Sequence, residues 1–518
     1  MTVITAGERF NAATFFVDRH LVEGRGHRTA FRHAGRAVTY AELAEGANRA
    51  GNALAGLGVE IENRVVLILN DTPAFAALFW GAAKLGAVAV PLNTVMTVEE
   101  YDFFVRDSRA KVVVAEPGVA ARLAAVRDRW PSLRALVSVG PGGAGVPGLG
   151  DLMTRASPAL EAAPTVTEDA MYWGYTSGST GPPKAAVHVH RDFVAAADLV
   201  GVGVFGLGPA DLVFSASKLY FAFGLGNSLY FPLRVGAASV LVPERLSPEA
   251  VFAVIAAEQP TVFFAVATLY ARMLQVPDAE RRWDLSSLRL CVSSGEALPP
   301  AVFDAWKARF GHELLDVVGS TEALHDFIAN TPGATRRGSS GRLVPGFEAR
   351  LVDDGGRPVF PGHVGQLLIK GPTTAPYYWN RLERTRQTML GEWLRTGDMF
   401  WQDGDGYFYF AGRVDDMLKV GGQWVSPAEV EGALIAHPAV VEAGVVGRQD
   451  EDGLVKPEAF VVLKDGQVPS AELAVELTAS VRGRLAGYKS PRWVHFVAEL
   501  PQTATGKLQR FRLRRSSG

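Results

Sequence analysis

The sequence predicts an α/β protein: a large N-terminal domain of two α/β sheets with a small β-rich subdomain, followed by a small mobile α+β C-terminal domain. Three observations predict it. Short β-branched runs alternate with helical stretches through most of the chain. From about Gly346 to Phe410 the pattern becomes shorter and richer in strand signals. After Arg413 a compact strand-and-helix pattern begins afresh, which puts the domain boundary at Asp415 and divides the chain into 1–414 and 415–518. A chain of 518 residues exceeds what one hydrophobic core serves.

The first helix opens at Thr39-Tyr40-Ala41-Glu42-Leu43, where Thr39 caps and Glu42 three residues on completes a capping box. Arg64 to Leu69 reads as a buried strand, Pro73 to Leu85 as a helix, and Val88 to Leu92 as the next strand. Strand, helix and strand with short connections form a βαβ unit, hence a parallel sheet. Gly140 to Gly150 is flexible by composition and reads as a surface loop. Strands at Ser239–Val242, Thr261–Phe264 and Leu288–Val292, with helices at Pro248–Glu258 and Pro300–Phe310, make a second sheet. In the last domain a helix starts at Pro427, strands run Val440–Val446 and Ala459–Leu463, and a helix covers Ala471–Leu485.

Composition narrows the function classes. The formal net charge is -2, so nothing supports tracking a nucleic-acid backbone. The basic stretch Arg510 to Arg515 reads as a solvated tail. Cys291 is the only cysteine; it excludes an intrachain disulfide and a Cys-rich metal site, and its apolar neighbours make it a buried strand residue. No secretory pattern and no membrane-length apolar run is visible, so the expectation is a cytoplasmic enzyme, monomer or homodimer, with no membrane partner.

Thr176-Ser177-Gly178-Ser179-Thr180-Gly181-Pro182-Pro183-Lys184 is the most informative stretch, and it follows the strand-like run Met171 to Tyr175. Crowded glycines and hydroxyls turn N–H and O–H donors onto one anion, and Lys184 adds positive charge, which suits a triphosphate. It is not a Walker A loop: two prolines separate Gly181 from Lys184, and Ala185 follows the lysine.

This stretch resembles the signature loop of the adenylate-forming enzymes, a superfamily of acyl- and aryl-CoA ligases, peptide-synthetase adenylation domains and luciferases. Five further segments resemble that superfamily's motifs in the right order: Ser294 to Pro299, Val318 to Glu322, Trp393 to Asp398, Gly412 to Lys419, and Pro501 to Lys507. The resemblance implies ATP, Mg²⁺ and coenzyme A as cofactors. It implies nucleotide contacts from Thr176, Ser177, Gly178, Ser179, Thr180, Gly181 and Lys184, then from Gly295, Glu296, Ala297, Gly319, Ser320 and Thr321, with Asp398 and Arg413 at the ribose. Lys507 is implied to bridge the carboxylate and the α-phosphate, as a mobile point charge suits. Glu322 and Thr180 are implied as catalytic Mg²⁺ partners; one carboxylate with water and phosphate oxygens is enough for this ion. Asp415 is implied as the hinge, and Lys419, Gly421 and Gly422 as the segment that approaches the slim arm of coenzyme A. Val318 replaces the tyrosine usual before this Gly-x-Thr-Glu motif, so no aromatic face stacks on adenine there.

Ser217 to Asn227 and Leu324 to Phe327 resemble the benzoate–CoA ligase branch. The acyl pocket implied is Ala222, Phe223, Gly319, His325 and Asp326. Asp326 departs from the branch, which has an apolar residue there. A bare phenyl ring against it would leave a buried charge unpaired, which is costly. The expected substrate is therefore an aromatic carboxylic acid with a hydrogen-bond-donating ring substituent, aminobenzoate first and plain benzoate second. The alternative is a stand-alone aryl-acid adenylation enzyme that loads a carrier protein.

Overall fold

A computed structural model describes residues 7–143, 145–176, 182–420, 423–502 and 508–516. Helix Tyr40–Gly56 starts where the capping box puts it, with Thr39 accepting from Glu42 N and Glu42 accepting from Thr39 N. Strands Arg64–Ile68 and Val88–Pro91 pair in parallel, joined by helix Pro73–Lys84. They belong to a six-stranded sheet in the spatial order Ala135–Ser138, Val112–Ala115, Arg64–Ile68, Val88–Pro91, Ala170–Thr176, Lys184–Val189.

The near-continuous apolar runs of these strands follow from coverage on both faces. Val65 and Leu67 enter a core shared with helices Tyr40–Gly56 and Pro73–Lys84, while Val66 and Ile68 enter a second core with Tyr101 and Phe104. The shared core continues to a nine-stranded sheet through Val213, Val262, Phe264, Leu290 and Val292. That sheet's other face packs Phe263, Cys291 and Trp306 into a third core. Burial pushes the Cys291 thiol up to about 12, so it is an inert core residue.

Helices Pro248–Glu258 and Pro300–Phe310 match their expected limits. The strands beside them, Ala238–Val240, Val262–Ala265 and Leu290–Ser293, sit one or two residues off the sequence reading, as terminal residues commonly do. The β-rich stretch forms a five-stranded sheet that includes the antiparallel pair Trp393–Gln402 and Phe408–Arg413. The last part of the chain builds its own core, in which Val430, Val445, Val461, Leu477 and Val481 are buried.

Two expectations need correction. The segment around Gly140–Gly150 is partly ordered by pairing: Gly143 and Val146 exchange backbone hydrogen bonds, Ser138 bridges Gly148, and a helix begins at Leu149. The basic C-terminal stretch is no solvated tail. It forms helix Arg510–Ser516, buries Leu513, and sends Arg510 to both oxygens of Glu431 at 2.7 and 2.9 Å. Two carboxylates within reach explain this: beside Glu431, Asp416 bonds both Arg510 and Arg514, so these charges are neutralised locally. Among the described residues no helix is long and apolar enough to cross a membrane.

Candidate active site

Thr176 ends one strand and Lys184 starts the next, and the two face each other in antiparallel register. The phosphate-loop residues Ser177, Gly178, Ser179, Thr180 and Gly181 lie outside the described residues, as do Gly421, Gly422 and Lys507. The Lys184 side chain is held at its ammonium by two contacts. Its ammonium lies 4.1 Å above the Tyr378 ring and 3.7 Å from Glu322 Oε1. Burial lowers its proton affinity, and Glu322 works against that loss.

Glu322 sits on a single turn, Thr321–Ala323, capped by Ser320, whose hydroxyl accepts from Ala323 N. Its carboxylate accepts the Tyr378 hydroxyl hydrogen at 2.6 Å, and its carbonyl accepts from Ala375 N at 2.7 Å. Burial and the Glu322 charge keep the Tyr378 phenol protonated far above neutral pH. Behind the turn, His188 bridges Thr321 O at 2.7 Å and Asp192 at 3.1 Å. Among the described residues no group of three or more His, Cys, Asp or Glu side chains could cage a metal. A lone carboxylate fits Mg²⁺ only when water and phosphate oxygens complete the shell.

Asp398 and Arg413 face each other across the Trp393–Gln402 and Phe408–Arg413 pair, joined at 2.8 Å. The carboxylate holds the guanidinium above its ordinary value. Asp398 also donates its backbone N–H to Thr396 Oγ1. Gly295 is exposed with φ +89°, after the strand Leu290–Ser293, and Ala297 is exposed too. Glu296 spends one carboxylate oxygen on Thr268 N at 2.6 Å, at the start of helix Ala267–Met273, so its charge serves that helix.

The five residues assigned to the acyl pocket fall in one neighbourhood. Ala222 opens helix Ala222–Leu225, and Phe223 faces His325 with ring centres 5.6 Å apart. His325 is pressed between Phe231, at 4.4 Å, and Gly226, where a Cβ would stand 2.5 Å from its Nε2. Gly319 pairs with Asp326 across a bulge, and a Cβ there would lie 2.7 Å from Asp326 Oδ1. Asp326 is buried at 2% exposure; its Oδ1 accepts from Ser294 at 3.1 Å. Its Oδ2 lies 2.9 Å from His325 Nδ1. These consecutive side chains approach without hydrogen-bond geometry, and neither atom has a hydrogen-bond partner among the described residues. Burial drives the nearby Asp316 carboxyl well above its ordinary value, and repulsion from Asp326 adds to the rise.

A residue pair the motifs did not single out supports this pocket. Asp71 Oδ1 accepts from Leu219 N at 2.9 Å, and Lys218 Nζ lies 3.8 Å from Oδ2. Lys218 also donates to the carbonyls of Val242 and Glu244, both at 2.6 Å. These bonds fix the segment that leads into Ala222 and Phe223. Tyr378 was missed as well. Neither carries a spacing signal, because their partners are distant in sequence.

Asp415 lies in the turn after strand Phe408–Arg413, and Lys419 lies on strand Leu418–Val420 and is exposed. Arg514 reaches Asp415 O at 3.4 Å and Asp416 Oδ1 at 2.6 Å, so the C-terminal helix grips the turn.

The model of the AMP-binding enzymes matches residues 18–379, and that of their C-terminal domain matches residues 429–507. The chain belongs to the AMP-binding enzyme family. A benzoate–CoA ligase of Thauera aromatica is 47% identical over 98% of this chain and 96% of its own. The anthranilate CoA ligase AuaEII, solved with anthranoyl-AMP, superposes with a TM-score of 0.95 at 44% identity, covering 98% of this chain and 97% of that one. A benzoate CoA ligase from Burkholderia xenovorans LB400 gives 0.91 at 44% identity, covering 98% and 100%. Lys184, Glu322, Asp398 and Arg413 are the candidate nucleotide site of this family member, and the neighbourhood of His325 is its candidate acid site.

Proposed function

We propose that this AMP-binding enzyme is an ATP-dependent aryl-CoA ligase whose acid is a benzoate bearing a hydrogen-bond-donating ring substituent, with 2-aminobenzoate the first choice. The observation that carries the substituent is Asp326 Oδ2, buried without a hydrogen-bond partner among the described residues. An amino group on the ring supplies the missing donor; a bare ring leaves it missing. Similarity to an enzyme solved with anthranoyl-AMP and to benzoate CoA ligases supports an aryl acid.

The chemistry runs in two steps. A carboxylate oxygen attacks the α-phosphorus, the bond to the β-phosphate oxygen breaks, and pyrophosphate leaves. The thiol sulfur then attacks the acyl carbon, AMP leaves, and the thiol proton passes to solvent. Lys184 stabilises charge on the transferring phosphates, and Asp398 accepts from the ribose hydroxyls while Arg413 steadies it. Lys507, from the 1–414 and 415–518 two-domain division, would enter for the first step and withdraw for the second. Glu322 and Thr180 would hold Mg²⁺, which would supply charge neutralisation on the phosphate oxygens. His325 and Phe223 flank the ring.

A substrate panel tests this reading: benzoate, 2-aminobenzoate, the hydroxybenzoates and short aliphatic acids, read as AMP formed with and without coenzyme A. The expected result is acyl-CoA from aryl acids, with 2-aminobenzoate preferred. AMP and pyrophosphate with no acyl-CoA would move the assignment to carrier-protein loading. No acid-dependent AMP at all would end it.

A further inference from the structure

A second cationic site lies on the opposite edge of the six-stranded sheet from the acyl pocket. Asp71, which ties the acyl segment down, follows the C-terminal end of strand Arg64–Ile68. The opposite, N-terminal edge carries Arg64 itself, Lys111 just before strand Val112–Ala115, and Arg134 just before strand Ala135–Ser138. Parallel register brings the three side by side. Arg109 joins them from the C-cap of helix Val98–Ser108, in a left-handed conformation with φ 51°. The four cations, with Asn63 and Ser132, line a cleft of about 320 Å³.

No carboxylate lines this cleft, and none of its four cations makes an ion pair among the described residues. Arg109 and Arg134 are exposed, whereas Arg64 and Lys111 are part-buried. Arg64 is half-buried; its Nε donates to Ser108 O at 2.7 Å and its Nη1 to Glu62 O at 2.8 Å. Its guanidinium lies 5.3 Å from the rings of Trp173 and Trp379, and that of Arg109 lies 5.5 Å from Trp379. Burial and then repulsion from Arg109 lower the Arg64 proton affinity. Like charges fixed around one indole cost free energy that a bound anion recovers.

We propose that this cleft binds a phosphate-class polyanion at a site separate from the nucleotide crevice. Three donor-rich arginines, one lysine and two neutral donors match a compact di- or trianion, and the volume admits one. The phosphoryl group comes either free, as pyrophosphate, or carried on a nucleotide, as in adenosine 3′,5′-bisphosphate. Trp379 stands between the cleft and the reacting site: its neighbour Tyr378 bonds Glu322, its backbone N–H donates to Ala185 O, and its indole N–H donates to Asp107 O.

The test is calorimetric titration of the full chain at fixed ionic strength with each of the two probes, on wild type and on Lys111→Gln/Arg134→Gln. Arg109→Gln serves as a second variant, and thermal unfolding checks that both fold. The nucleotide crevice binds in all three proteins, so the signal is the difference between them. The expected result is one extra binding event in wild type, weakened at least about tenfold in both variants, which lose two and one charge-assisted contacts respectively. Loss with pyrophosphate alone assigns a free anion; loss with the bisphosphate alone assigns a nucleotide-borne phosphate. Identical titrations of all three proteins with both probes overturn the proposal. The readout needs neither acid nor turnover, so its failure and the failure of the ligase reading are distinguishable.

Discussion

Tyr378 and Lys184 converge on a single oxygen of Glu322, the phenol donating at 2.6 Å and the ammonium standing 3.7 Å away over the phenol ring. The three side chains come from a turn, a strand start and a segment more than fifty residues further on, so the cluster exists only in the folded chain. It presets the direction of the carboxylate proposed to meet Mg²⁺.

Tyr378→Phe therefore removes the orienting donor while leaving the ring beneath Lys184. A hydrogen bond to a charged group contributes about 1.5–3 kcal/mol, about ten- to a hundredfold in an equilibrium constant. The expected outcome is a rise of about tenfold in the KM for ATP in an Mg²⁺ titration, with KM for the acid little changed. Equal KM values in variant and wild type would show that Glu322 needs no such support.

Asp71 yields a pH prediction. Burial raises its carboxyl from 3.8 to about 6, even with Lys218 beside it. The folded state therefore holds a proton that the unfolded state has already released between those two values. By linkage, this group's contribution to stability is greatest below 3.8, falls as pH rises toward 6, and is constant above. In Asp71→Asn that sloping segment of the stability curve should flatten, measured by urea unfolding at half-unit pH steps. The Lys218 ammonium then lacks its carboxylate, so KM for the aryl acid should also rise. An unchanged slope would place the proton elsewhere.

The fold and the nucleotide motifs were legible because each is local. The capping box at Thr39 and Glu42, the alternation through Val65, Val66, Leu67 and Ile68, and the glycines and hydroxyls after Thr176 sit within a few residues of one another. Asp326 was legible as an anomaly, an acid where apolar character was expected, but its partner Ser294 was not, since only the folded sheet, with strand Leu314–Gly319 between theirs, brings them together. Asp71 with Lys218, and Tyr378 with Glu322, left no trace for the same reason. Arg510 to Arg515 misled because a run of like charge reads as solvated until Glu431 and Asp416 are seen to neutralise it.

The Asp326 carboxylate should set substrate preference. Asp326→Ala removes the acceptor for an amino substituent and relieves the repulsion that raises Asp316. The ratio of kcat/KM for 2-aminobenzoate to that for benzoate is expected to fall at least about tenfold, mostly through the aminobenzoate term. Asp326→Asn keeps an acceptor without the charge and should fall between. A ratio untouched by either change would mean that the ring substituent lies elsewhere.

Arg272 links the helix Ala267–Met273 to the last domain. Its Nε bonds Glu442 at 2.9 Å, its Nη2 reaches Gln502 Oε1 at 3.4 Å, and Gln502 in turn donates to Glu442 at 3.2 Å. Gln502 also pairs with Leu508 in an isolated antiparallel bridge, and the segment between those two carries Lys507. The contact thus lies at Gln502, where the segment that carries the proposed adenylation lysine begins. Arg272 is half-exposed, so the bond adds little to overall stability and Arg272→Ala should leave the unfolding midpoint nearly unchanged. What it should alter is the balance between domain orientations, since each orientation is favoured only by the contacts it alone makes. The expected outcome is slower acyl-adenylate formation, read as single-turnover pyrophosphate release, with thioester formation from supplied acyl-adenylate spared. Lys507→Ala is the reference for complete loss of the first step. If Arg272→Ala slowed both steps equally, the contact would be a structural one with no part in choosing between orientations.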